Sequence, residues 1–73
     1  MKTTLRDLRK ASNKTAAEVA TALGVTINAV SNYECGIRRV DIEQVLVLAQ
    51  LYDVSEREVI EAQLESIRIR EAD

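Results

Sequence analysis

The sequence has no proline, no histidine, only two glycines and a single cysteine. Strands and tight turns lean on proline and glycine, so their scarcity favours an all-α chain. With no histidine, Cys35 alone builds neither a tetrahedral zinc site nor an internal disulfide. No metal and no cofactor is therefore expected, and a reducing cytoplasm is the expected location. There is no glycine-rich loop and no activated nucleophile. A 73-residue chain also buries only about 60% of its unfolded surface, too little to enclose a deep cleft. An enzyme is not expected. No apolar run approaches the roughly 18 residues that span a bilayer, so no membrane partner is expected. The opening Met1-Lys2-Thr3-Thr4 lacks the apolar stretch of a signal peptide.

What is present is an ordered globular composition, 47% apolar and 30% charged. The net charge of −2 conceals an asymmetry. Up to Arg39 seven cations (Lys2, Arg6, Arg9, Lys10, Lys14, Arg38 and Arg39) face three anions, a balance of +4. From Val40 onward three arginines face nine carboxylates, a balance of −6. A basic half joined to an acidic half can turn one face toward phosphate; ordinary mixed surface charge is the plainer account.

Five helices are legible, with little linker between them. The first spans about Leu5 to Ala11, capped by Thr4 with Asp7 as the reciprocal acid, and Asn13 follows as a residue tolerant of the left-handed conformation. The second spans about Ala16 to Leu23, with Thr15 and Glu18 as its capping box and Gly24 as its stop. The third is predicted from Thr26 to Cys35, stopped by Gly36, with Val25 stapled on Val30. At 100° per residue Val30 and Tyr33 turn inward, while Ile27, Asn28, Ser31 and Asn32 turn outward. The segment Ile37-Arg38-Arg39-Val40 leads to a fourth helix, about Asp41 to Tyr52, carrying Ile42, Val45, Leu46, Leu48, Ala49 and Tyr52. Asp53 closes it. Ser55 and Glu58 open the fifth, which runs to about Arg70 with Val59, Ile60, Leu64 and Ile67 assigned to one side.

Thr15 to Gly36 is the informative stretch. Two short capped helices are joined by a turn too tight for antiparallel packing, so they must cross steeply, with the small Ala20 at the contact. The outward face of the second helix is left free. Leu5-Arg6, Thr15, Glu18-Val19-Ala20, Leu23-Gly24-Val25-Thr26 and Val30-Ser31-Asn32-Tyr33-Glu34-Cys35-Gly36, followed by Ile42 to Ala49 and Val54-Ser55, resemble the Cro and lambda-repressor family of helix-turn-helix regulators, also called the xenobiotic-response-element family. The resemblance covers about Leu5 to Ile60. It implies a five-helix, lambda-repressor-like helix-turn-helix domain with an extended C-terminal helix. The reading is a single domain over 1–73, with a core of about 4–60 and a helical extension of 61–73. Three positions depart from the pattern. Ala16 stands where the family has a phosphate-gripping glutamine, Val40 replaces the usual proline, and the fifth helix runs about a dozen residues past the usual end.

The resemblance implies that the third helix enters the major groove of double-stranded DNA. Asn28 is the first candidate base reader, because a carboxamide pairs bidentately with adenine; Asn32, one turn on, offers the same chemistry. Ile27 suits a thymine methyl, and Ser31 a base or a phosphate. Arg38 and Arg39 suit phosphate oxygens. Lys14, Thr15 and Thr26 are further phosphate candidates, although both threonines are needed as caps. A solvated helix face is the alternative for all of these. Arg9 and Lys10 are expected to be solvated or to help at a distance. Glu34 is expected to pair with a base such as Arg9 or Lys10, and Cys35 to be a partly buried spacer.

Val47 and Leu51, with Leu64, Ile67 and Ile69, could form an exposed apolar patch and a homodimer interface. The alternative is that the fifth helix packs back on the fourth. A sequence-specific transcriptional regulator, a dimeric repressor on a palindromic operator, is thus expected. The competing function is a protein-interaction module, adaptor or antitoxin-like, that binds a protein partner and keeps the fold with weak DNA affinity.

Overall fold

The computed structural model describes residues 3–72. Met1, and Lys2 and Asp73 of the charge balance, lie outside the described residues. The elements are α1 (Leu5–Ala11), α2 (Ala16–Leu23), α3 (Ile27–Glu34), α4 (Ile42–Tyr52) and α5 (Glu56–Ala72), with no strand among the described residues.

Helix starts are dictated by side chains three residues apart. Thr4 and Asp7, Thr15 and Glu18, and Asp41 and Gln44 form reciprocal capping boxes, and Thr26 accepts from the Ala29 N–H. Ser55 and Glu58 do the same work for α5. Backbone N–H donation from Thr4 and Thr15 holds the Asp7 and Glu18 carboxyls below the usual carboxylate range. Helix stops share one device. Asn13, Gly24, Gly36 and Asp53 take positive φ, and the next residue donates its N–H back over five positions: Lys14 to Arg9, Val25 to Ala20, Ile37 to Asn32 and Val54 to Ala49. Thr26, Cys35 and Asp41, the ends of the predicted third helix and the start of the fourth, are caps just outside the helices themselves, and α5 runs two residues past Arg70.

The core gathers Leu5, Leu8, Val19, Ala20, Ala29, Val30, Tyr33, Val40, Val45, Leu48, Ala49, Tyr52, Val59 and Ala62. Each fully buried aliphatic side chain contributes about 1.5–3 kcal/mol. Helix α2 packs on α3 and α4, and α5 on α4, α1 and α3. Val59 and Ile60, being neighbours, stand about 100° apart on a helix and cannot share a face. Val59 and Ile67 are buried, whereas Ile60 and Leu64 are exposed. The inward stripe of α5 uses small residues instead, Ala62 and Ser66, which bring it close to α1: the Leu5 N–H donates to Ser66 Oγ at 3.3 Å. On α4, Ile42 is 79% exposed and Leu46 also faces outward.

Arg9 ties α1 to α3. Its Nε donates to Glu34 Oε2 at 2.6 Å, its Nη2 to Glu34 Oε1 at 3.3 Å, and its Nη1 to the Lys14 carbonyl at 3.1 Å. The two side chains are only 14% and 9% exposed. The expectation that Glu34 pairs with a base holds; the expectation that Arg9 is solvated does not, because a carboxylate from α3 waits beside it at the protein interior. Its hydrogen bonds to the Glu34 carboxylate raise the pKa of Arg9 further. Burial, and then the Glu34 charge nearby, push the Tyr52 hydroxyl up to about 12.

Glu34→Ala should cost about 3–5 kcal/mol, because it strands a buried guanidinium. Glu61→Ala, which breaks the exposed Arg57–Glu61 pair, should cost under about 1 kcal/mol. Urea titrations of both variants check the ranking. The two glycines make a second contrast. A Cβ on Gly24 meets nothing within 4 Å, whereas one on Gly36 lies 2.6 Å from the Ser66 carbonyl oxygen and 2.9 Å from Ile67 Cα. Gly24→Ala should cost about 1–2 kcal/mol, the backbone penalty alone. Gly36→Ala should lower the thermal midpoint distinctly more.

Candidate nucleic-acid interface

Helix α3 is held by its inner residues. Ala29, Val30 and Tyr33 are buried, and Glu34 is clamped by Arg9. Its other face is open. Ile27 is 55% exposed, Asn28 and Ser31 are exposed, and Asn32 is half-buried. Among the described residues, the carboxamides of Asn28 and Asn32 make no hydrogen bond within the fold. Such a face presents two amides and an aliphatic side chain to whatever docks there.

The loop after α3 turns back on the helix. The Ile37 and Arg38 N–H groups both donate to the Asn32 carbonyl, at 2.9 and 3.2 Å. The Arg38 guanidinium lies over the Tyr33 ring, 5.4 Å from its centre, a cation–π contact of about 0.5–1 kcal/mol at an exposed site. The Tyr33 hydroxyl in turn accepts from Gln44 Nε2 at 3.1 Å. Arg38 and Arg39 are both exposed, so their charges meet solvent next to the C-terminal end of α3.

At the start of α2, Thr15 is exposed and Lys14 half-buried, with the Lys14 carbonyl fixed by Arg9. The hydroxyls of Thr15 and Thr26 are occupied by the N–H groups of their own helices. Ala16 packs on the core and offers no polar atom of its side chain. Cys35 is exposed rather than a partly buried spacer, because it caps α3 where the chain leaves the core.

The five residues of the apolar patch are not brought together as an open surface. Leu64 and Ile69 are exposed, but Ile67 is 8% exposed, Leu51 packs on the core, and Val47 is half-buried. The exposed large apolar side chains lie elsewhere as well: Ile37 in the loop, Ile42 and Leu46 on α4, and Ile60 on α5. Tyr33 and Gln44, eleven residues apart, and Val40 and Gln63, twenty-three apart, are contacts that no local pattern announces.

Among the described residues no helix is long and apolar enough to cross a membrane. Residues 3–62 match the family model of a helix-turn-helix domain. A Bacillus subtilis (strain 168) protein named "Uncharacterized HTH-type transcriptional regulator YobD" is 35% identical over 51 residues. That alignment covers 70% of this chain and 46% of the relative, so the chain corresponds to about half the relative's length. No solved structure matches significantly. The capped pair α2 and α3, the left-handed turn at Gly24 and the match over 3–62 lead to one conclusion: the chain belongs to the helix-turn-helix domain family.

Proposed function

We propose that this chain is a single domain that binds double-stranded DNA, as a sequence-specific transcriptional regulator of the Cro and lambda-repressor kind. The observation that carries the reading is the open face of α3, where the Asn28 and Asn32 amides and Ile27 lie uncommitted beside the arginines of the following loop. In this reading α3 lies in the major groove. Asn28 and Asn32 read adenine edges, Ile27 meets a thymine methyl and Ser31 a base or phosphate. Arg38 and Arg39 grip phosphates on one side; Lys14, Thr15 and the N-terminal end of α3 at Thr26 contribute backbone contacts. The name of the Bacillus subtilis relative supports the regulator role. The regulator acts as a repressor, a dimer spanning two half-sites about one helical turn (~34 Å) apart on a palindromic operator. Of the five patch residues, the exposed Leu64 and Ile69 supply the dimer contact in this reading.

A second reading is a protein-interaction module. It draws on Ile42, Leu46 and Ile60, apolar side chains that the fold leaves exposed on its acidic half.

Binding to a random duplex across a salt series separates the two. A DNA binder loses affinity with a log–log slope of about −0.9 per phosphate contacted. No binding at ~50 mM salt sinks the regulator reading. Asn28→Ala should weaken the selected operator by about 1–3 kcal/mol and leave random duplex nearly untouched. Arg38→Ala should weaken every duplex alike and flatten the slope by about one unit per half-site, which a salt titration reads directly.

A further inference from the structure

The loop from Cys35 to Asp41 is fixed at both ends to a single turn of α5. At its start, Gly36 lies against the backbone of Ser66 and Ile67, so close that any Cβ would collide. At its end, the Val40 N–H donates to Gln63 Oε1 at 2.5 Å. Gln63 and Ser66 stand three residues apart on α5, one above the other on the same face. Between the two contacts lie Ile37, Arg38 and Arg39, all exposed.

The Val40 contact has a physical necessity. Val40 is buried, and its N–H, unlike a proline nitrogen, needs an acceptor. Gln63 is half-buried and reaches it from another helix. Without that acceptor the end of the loop would have to swing out to find water, taking Arg38 and Arg39 with it.

We infer that Gln63 is a positioning residue for DNA: it holds the loop so that Arg38 and Arg39 meet the phosphate backbone together. This rests on the DNA-binding reading above. Gln63 touches no nucleic acid itself. It acts through the Val40 N–H, and it makes the seating of α5 a condition for phosphate contact.

Gln63→Met keeps the length of the side chain and removes the acceptor. The full chain carrying it should bind random duplex about three- to tenfold more weakly, the loss of one hydrogen bond's worth of ordering. Its salt slope should be shallower than that of the unaltered protein by about one to two units per domain, the share of two phosphate contacts. The ratio of operator to random-duplex affinity should stay the same. A variant that is merely less stable but folded keeps the original slope, so the slope isolates positioning. Hydrogen exchange of the Val40 amide in the unaltered protein is the second measurement; it should be protected, and exchange as free as that of an exposed loop overturns the inference without any variant. If the unaltered protein binds duplex and Gln63→Met matches it in affinity and slope, the positioning role fails while the DNA-binding reading stands. If the unaltered protein binds no duplex, both fail.

Discussion

The Arg9–Glu34 ion pair is the constraint on which the arrangement of this domain turns. Three of the five guanidinium donors are spent, two on the Glu34 carboxylate and one on the Lys14 carbonyl. One side chain of α1 thereby fixes the C-terminal end of α3 and the approach to α2. Removing two charges from water costs several kcal/mol per ion, and only a well-formed, hydrogen-bonded pair offsets it. The geometry meets that condition. The pair also neutralises charge within the fold: Arg9 belongs to the basic half by sequence, yet most of the field outside comes from the other cations.

With α3 latched on its inner side, its outer side is left without any task in the fold. Val30 and Tyr33 sit in the core, Glu34 is taken by Arg9, and the Asn32 carbonyl receives the returning loop. What remains free is the row of side chains suited to base edges. In the proposed DNA-binding reading, Ala16 in place of the family's glutamine shifts the weight of backbone contact toward the loop arginines, one of which already rests on the Tyr33 ring.

Local features of this fold were legible because their causes are local. Every cap lies three residues from its partner, and every stop returns a hydrogen bond over five. Thr4, Thr15, Thr26 and Ser55, and the turns at Asn13, Gly24, Gly36 and Asp53, can therefore be read directly from spacing; Asp41, assigned to the helix itself, caps α4 by the same spacing to Gln44. The outward row of α3 follows from the 100° step. Contacts between distant elements are different. The pairing of Glu34 with a cation such as Arg9 follows from the family resemblance and not from local spacing, and the bonds from Leu5 to Ser66 and from Val40 to Gln63 depend on where α5 lands. Hydrophobicity alone also misplaced the face of α5, because close packing there selected Ala62 and Ser66 over the larger Ile60 and Leu64.

The late position of α5 in the chain gives the loop an order in time. Caps and turns joining α1 to α4 close over short loops, where closure carries little entropic cost. The contacts that seat the loop do not exist until residues 63–67 have been synthesised and docked. During synthesis the residues of α3 are therefore present well before the acceptor that seats the loop behind it. A nascent chain that stops short of Gln63 lacks the acceptor for the Val40 N–H, so in the proposed DNA-binding reading the loop arginines gain their seating only when α5 docks.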